Sequence, residues 1–493
     1  MYLIGYDVGS SSVKAAIVEA YSKKTIAIAQ YPAVEMTIDS PQPGWAEQHP
    51  DDWWENIQKV TKKVLVNSGI ASNGIQAIGI SYQMHGLVII DEGHTPLRPA
   101  IIWCDSRAVE IGDKAFESIG KEQCLHHLLN SPGNFTASKL KWVQENEPRI
   151  YERIYKVMLP GDYIAMKMTG EITTTISGLS EGIFWDFRAN QVSDELTKYY
   201  GIDPQLLPGL VDTFSHQGAL TLKSAKLLGL HPGIAVGYRA GDQPNNALSL
   251  KVLEPGEVAA TGGTSGVVYG IHDQPVFDIE SRVNPFAHVN HSPSKPRIGV
   301  LLCVNGAGIL FSWLRKLLHD HQVSYQEMEN AAQEVPVGAD GLQIIPFGNG
   351  AERILLNRNP GASVLNLDFN RHGAAHLYRA ALEGIAYAFI YGIEIMQSMG
   401  INTEVIKVGN DNLFQSRIFA EAIANILRCR IEVMDTTGAV GAAKGAGIGV
   451  GIFQSIEEAF GEMKPIRTHY HTKEQLVYQQ EYKTWTERLK NFI

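Results

Sequence analysis

One short pattern occurs twice in this chain, near the N-terminus and again just past the midpoint, and any fold must accommodate both copies. Residues 3–7 form a strand, Gly9-Ser10-Ser11-Ser12 a tight polar turn, and residues 13–18 a returning strand. Residues 258–261, then Gly262-Gly263-Thr264-Ser265-Gly266, then residues 267–270 repeat the design. One such hairpin is ordinary. Two of them, half a chain apart, indicate paired domains facing a shared ligand.

Around the first hairpin the sequence alternates strands with amphipathic helices. A third strand is expected over 25–29, then a helix opening after Pro50-Asp51 with Trp53, Ile57, Val60 and Val64 on one face, then a strand over 77–81. In the second half, 376–399 predicts a long helix stopped by Gly400 and apolar around most of its circumference, hence buried between elements. A strand over 405–408 and a helix from near Phe414 follow. This alternation predicts an α/β sheet of mixed direction in each half. With 493 residues, 44% of them hydrophobic, the chain can bury more than one core. We expect two domains, 1–250 and 251–493, divided near 247–255 with no low-complexity linker, as suits two lobes hinged over a cleft.

Forty-two basic against fifty-two acidic side chains leave a formal charge of −10, which repels nucleic acid and anionic membranes alike. An anionic ligand therefore needs a local device to hold it. The first residues carry no signal-peptide pattern, no apolar run approaches membrane-span length, and the four cysteines are scattered, so the expectation is a cytoplasmic protein with reduced, mostly buried thiols. Neither a P-loop nor a dinucleotide fingerprint is present; Gly445-Ala446-Gly447 lacks the third glycine, and glycines 438–451 fit close helix packing better. The hairpin turns remain, whose backbone N–H groups and hydroxyls suit phosphate oxygens.

Several segments beyond the hairpins carry a resemblance. The run 133–146, Gly-Asn-Phe-Thr-Ala-Ser-Lys-Leu-Lys-Trp-Val-Gln-Glu-Asn, and the run 362–383, ending His376-Leu377-Tyr378-Arg379-Ala380-Ala381-Leu382-Glu383, are similar to the two signatures of the FGGY carbohydrate kinase family, with Asn134 and Asn366 as departures. That resemblance, which spans nearly the whole chain, implies a two-lobed actin-like ATPase (ribonuclease H-like) fold with duplicated mixed sheets, flanking helices and a central cleft. Gln83-Met84-His85-Gly86, 100–107 and 159–163 look like the xylulokinase branch.

The resemblance also implies site residues, several of which have plainer alternatives. Gly241-Asp242-Gln243-Pro244-Asn245-Asn246 is turn-rich on composition alone. By resemblance, Asp242 is the base that takes the sugar hydroxyl proton, with Gln243 beside it where xylulokinases commonly carry Asn. Gln83, Met84 and His85 are implied sugar contacts, and Trp103 and Phe135, otherwise core aromatics, an apolar wall. ATP is assigned to Gly9, Ser10, Ser11 and Ser12, to Gly262, Gly263, Thr264 and Ser265, to Gly306, and to Gly409, Asn410 and Asn412, which replace the family's Gly-Gly-x. Asp7 would hold Mg²⁺, directly or through water. Residues 350–354 match the family's pattern only loosely and receive no role. The implied reaction converts D-xylulose and ATP to D-xylulose 5-phosphate and ADP. Its rivals are a kinase for L-ribulose, L-fuculose or glycerol, and an actin-like nucleotide switch without catalysis. Partners are the sugar and ATP, with a homodimer allowed.

Overall fold

A computed structural model describes the backbone of residues 1–493 and every side chain but that of His319. The chain forms two units. The first comprises 1–251, 286–298 and 436–463; the second comprises 252–285, 299–435 and 464–493.

In the first unit, β1 (Tyr2–Val8) and β2 (Val13–Glu19) form the expected hairpin, and β2 pairs antiparallel with β3 (Thr25–Tyr31). Helix α1 (Pro50–Ser68) starts where predicted, with proline in its first turn and His49 accepting the Asp51 N–H, and ends on Gly69 in the left-handed conformation. Trp53, Ile57, Val60 and Val64 are fully buried on the face it lays against the sheet. Strand β4 (Ile75–Tyr82) joins β1 in parallel. Helix α2 (Thr136–Asn146) follows, and later β5 (Ala235–Gly241) pairs with β4, also in parallel. The order is β5-β4-β1-β2-β3. Helix α3 (Asp242–Ser249) leaves β5 without an intervening loop, so Asp242 sits at the carboxyl end of the sheet.

The second unit repeats this core. Its hairpin, β6 (Val258–Gly262) and β7 (Gly266–His272), is followed by β8 (Ile298–Val304), helix α4 (Gly308–His319), the long helix α5 (Ala374–Ser398), β9 (Val405–Gly409), helix α6 (Arg417–Leu427) and β10 (Arg430–Met434). Strands run β8-β7-β6-β9-β10, flanked by edge strands Asn284–Ala287 and Arg467–His469. As β1 does with β2 and β4, β6 pairs antiparallel with its hairpin partner and parallel with β9. The duplication inferred from two turns therefore extends to five strands. Helix α5 is buried over most of its circumference, as its composition predicts.

The last segment of the first unit is helix α7 (Gly438–Gly449), which packs on β1, β4 and β5. Here the glycine run acquires its reason. A Cβ on Gly5 would lie 2.0 Å from the Ala439 carbonyl oxygen, and one on Gly79 1.9 Å from that of Ala442. From the helix side, a Cβ on Gly449 would lie 1.7 Å from the Gly237 oxygen. Backbone meets backbone, and no side chain fits between.

One expectation requires correction: the thiols are not uniformly buried. Cys104 is exposed and Cys303 half-buried, because Cys104 sits on a loop beside an exposed tryptophan; Cys124 and Cys429 are buried as expected. No helix among the described residues is long and apolar enough to cross a membrane.

Overpacking typically costs about 1–3 kcal/mol, and at Gly79 the obstacle is main chain that cannot rotate away. Gly79→Ala should lower unfolding stability by at least about 3 kcal/mol in urea titration. Gly229→Ala, at φ +71° with open space around its Cβ, should cost only about 1 kcal/mol from backbone strain. Equal losses would contradict the close approach.

Candidate active site

In the first unit the sites predicted from β1, β4 and β5 come together. Asp7 ends β1 with one carboxylate oxygen accepting the Ser81 hydroxyl at 3.0 Å. Behind the turn, Gln48 donates to the Ser10 carbonyl at 2.7 Å, while its own oxygen accepts from Trp53 Nε1 at 3.0 Å and Gln83 Nε2 at 3.3 Å. The buried Gln48 thus ties the first turn to the Gln83 segment. The two partners it ties together, Ser10 and Gln83, each lie more than thirty residues from it along the chain, and no motif marks it. The Trp103 indole N–H points to Ser10 Oγ at 3.4 Å. Expected as part of an apolar wall, Trp103 is 48% exposed and belongs to an open rim.

Asp242 opens α3, where the helix dipole favours a negative charge. Burial opposes this more strongly, and the negative charge of Asp7 adds to it, so the Asp242 carboxyl is pushed up to about 7. Met84 packs so closely under Gly241 that a Cβ there would lie 2.6 Å from the methionine Cγ. Gln243, partly exposed, follows Asp242 in the first turn of α3. Asn245, wholly buried one turn on, donates to the Gly438 carbonyl at 2.9 Å and so joins α3 to α7.

His85 is held in the left-handed region at φ +60°. Its Nδ1 lies 2.9 Å from the Glu181 carbonyl oxygen. That oxygen can only accept, so Nδ1 carries a proton. The ring meets Phe135 edge-on at 4.8 Å and Phe286 at 5.2 Å. The Glu181 carboxylate is buried 3.8 Å from Nδ1, and burial drives its pKa well above the usual carboxylate range. Neither Glu181 nor Phe286 was legible from sequence, since each reaches His85 across a long stretch of chain.

In the second unit the turn between β6 and β7 leans on the start of α4: the Gly308 N–H donates to the Gly263 carbonyl and the Ile309 N–H to that of Thr264, both at 3.1 Å. A Cβ on Gly308 would lie 2.4 Å from the Gly263 oxygen, so only glycine allows this seat. Beside it is a cavity of about 580 Å³, bounded by Gly262, Gly263, Thr264, Asn412, Phe311 and Tyr325 among others. Phe311 and Tyr325 stack at 5.8 Å and form an aromatic wall. The buried Glu329, also lining it, accepts from the Ser416 hydroxyl at 2.6 Å. Gly306, Ser265, Gly409 and Asn410 are not among the lining residues. Gly306 is instead held by Glu352, to which its N–H donates at 2.9 Å, and a Cβ on it would lie 2.1 Å from the Pro346 carbonyl oxygen. Glu352 also accepts the Asn305 N–H at 3.0 Å, so the segment that received no role from sequence supports the loop before α4.

These features are a carboxyl held near neutrality at a sheet's carboxyl end and a glycine-seated turn beside a cavity of nucleotide size. The chain matches the family model for the N-terminal domain of FGGY carbohydrate kinases over residues 2–249 and that for the C-terminal domain over 258–450.

The chain belongs to the FGGY family of carbohydrate kinases.

It is similar to the xylulose kinase of Bacillus subtilis, 28% identical over 99% of this chain and 96% of the relative, and to that of Staphylococcus xylosus, 30% identical over 96% and 95%. Among solved structures, the xylulose kinase of Rhodospirillum rubrum superposes with a TM-score of 0.87 at 25% identity, covering 100% of this chain and 99% of that one. The two-unit α/β architecture is that of the FGGY sugar kinases, with the actin-like ATPase fold. This FGGY kinase is therefore an enzyme that phosphorylates a sugar, and ATP is the donor FGGY kinases use.

A tyrosine–phenylalanine wall is a surface on which a purine would stack. Aromatic pairing contributes about 0.5–1.5 kcal/mol beyond the area it buries. Tyr325→Ala should therefore weaken ATP binding by about tenfold in calorimetry and leave the sugar KM within about twofold. Unchanged ATP affinity would remove the nucleotide from this cavity.

Proposed function

We propose that this FGGY kinase transfers the γ-phosphate of ATP to the 5-hydroxyl of D-xylulose, with Asp242 as general base. The observation that carries the mechanism is the Asp242 carboxyl at the start of α3, brought to about 7 by burial and by Asp7. A base near neutrality accepts a hydroxyl proton well without being locked in either form. Support for the ketopentose comes from the xylulose kinases to which the chain is similar and from the Gln83–Met84–His85 segment.

In this mechanism His85 Nε2 accepts from a sugar hydroxyl, Phe135 covers an apolar face of the carbon chain, and Met84, Trp103 and Gln243 complete the acceptor side. Asp242 takes the proton from the attacking oxygen as that oxygen bonds to phosphorus and the bond to the ADP oxygen breaks. Phosphates are assigned to the turns 9–12 and 262–265, and adenosine to the cavity of the second unit. Asp7 would hold Mg²⁺, directly or through water. The residues fit such an ion, because a carboxylate pair that raises the Asp242 pKa is one a divalent cation would relieve, and Mg²⁺ needs only one or two carboxylates. Bound there, it would neutralise phosphate charge.

Substrate identity is tested by a coupled assay of ADP release with D-xylulose, L-ribulose, L-fuculose and glycerol. D-Xylulose should give the highest kcat/KM, since a misplaced hydroxyl strands a buried partner. A tenfold preference for glycerol or L-ribulose would overturn the assignment.

Asp242→Asn keeps the shape but cannot take the proton, and general-base assistance is typically worth about 10²- to 10⁴-fold. The variant should lose kcat in that range with ATP affinity nearly intact. The wild-type kcat/KM should fall tenfold per pH unit on the acid side, because the base must be ionised and protonation removes it. With the carboxyl pushed up to about 7 in the free protein, that limb should lie near pH 7, or lower when a cation offsets Asp7. A variant that folds, binds ATP and retains more than about a tenth of wild-type turnover would exclude the base.

A further inference from the structure

Apart from Asp242 and Gln243 on α3, the proposed sugar-side residues lie on three segments: 83–86 after β4, 100–107, and Phe135 at the start of α2. The first two meet at one bridge, where Leu87 and Ile101 exchange N–H···O bonds of 2.9 and 3.2 Å. Their link to α2 is a buried amine. Lys139 lies on the first turn of α2, where its N–H donates to the Phe135 carbonyl at 3.0 Å. Its side chain is 0% exposed, and Nζ donates to the His85 carbonyl at 3.0 Å and to the Ile102 carbonyl at 2.9 Å. The same helical turn therefore grips His85 twice, with the Phe135 ring against the imidazole and the Lys139 amine on the backbone.

Filling space does not account for this residue. A methionine of similar length would fill the volume without burying an amine, and burial is costly enough to pull the Lys139 pKa down to about 8. Asp105, whose negative charge partly offsets that fall, is itself paired with Arg107 at 2.7 Å. The bonds go to two carbonyls on the two segments that carry His85 and Trp103. His85 needs such a restraint, since its left-handed backbone is unfavourable for a residue with a Cβ. Charged or neutral, the amine keeps at least two N–H groups, one for each carbonyl.

The geometry points to Lys139 as a positioning residue for the sugar, which touches no substrate but holds the His85 ring and the Trp103 loop in register with Phe135. This rests on those two segments being sugar contacts, as proposed above.

Lys139→Met removes the donor at nearly constant volume, and Lys139→Gln retains a shorter two-hydrogen donor. Both are assayed with whichever sugar the wild type turns over best, so an error in sugar identity does not affect the result. Misplacement by about an ångström can cost up to about a hundredfold. Lys139→Met should raise the sugar KM at least about tenfold, with Lys139→Gln intermediate and the ATP KM within twofold for both. A folded Met variant with sugar KM within twofold of wild type would overturn the proposal. So would equal rises in both KM values, or failure of both variants to fold, since either marks a merely structural lysine. Should Met alone fail to fold, the Gln variant decides by the same split: a rise in sugar KM alone supports positioning and an unchanged one refutes it. His85→Ala separates the premise from the inference. An unchanged sugar KM there refutes the sugar-contact assignment itself, whereas a raised one beside an unaffected Lys139→Met refutes only the role of Lys139.

Discussion

The first unit depends on the approach of α7 to the sheet. Main chain touches main chain at Gly5, Gly79 and Gly237, so the helix sits closer than side chains between would permit. Its first residue, Gly438, then lies against the Asp7 carboxylate, where a Cβ would come within 2.9 Å of Oδ2, and its carbonyl receives the Asn245 amide. The acid at the end of β1 and the helix that begins with Asp242 are therefore referenced to one element. A shift of that helix would move both carboxylates, and their separation decides how strongly Asp7 raises the Asp242 pKa.

Chemistry on the acceptor side follows from how few freedoms its groups retain. Asp242 is placed by a strand running directly into a helix. His85 is confined by its backbone, by the Glu181 carbonyl at one nitrogen and by two aromatic rings. In the proposed mechanism an imidazole so held would offer a hydroxyl one fixed acceptor, and a carboxyl balanced between burial and a helix terminus would offer another. These are the requirements of an enzyme whose rate comes mainly from holding a hydroxyl in place and removing its proton. In the second unit, the seat of Gly263 and Thr264 on the start of α4 restrains the turn beside the cavity in the same manner.

Elements defined by local periodicity were legible in the sequence. The two hairpins, α1 and α5 fall where alternation or helical spacing puts them, and glycines 438–451 were attributed to packing without their partner being known; of these, Gly451 at φ +76° meets nothing and lies past the end of α7. Contacts between distant segments were not legible. Gln48, Glu181 and Phe286 carry no motif because what selects them is a partner far along the chain, and Lys139 stood inside a signature whose pattern does not reveal the two carbonyls it serves. The return of 436–463 to the first unit has the same origin: a helix matched to a sheet by the absence of side chains leaves no hydrophobic stripe to read. Trp103 differs from the plainer reading of an aromatic as core, since the structure leaves it half exposed.

The central claim is that Asp242 and His85 address the hydroxyls of one ketopentose. A crystal structure with D-xylulose and a non-hydrolysable ATP analogue tests it most directly. The sugar's 5-hydroxyl should lie within hydrogen-bond distance of the Asp242 carboxylate and another hydroxyl on His85 Nε2, with the Nδ1 contact to Glu181 retained. A sugar seated away from Asp242, or a His85 ring turned off the Glu181 carbonyl, would contradict it.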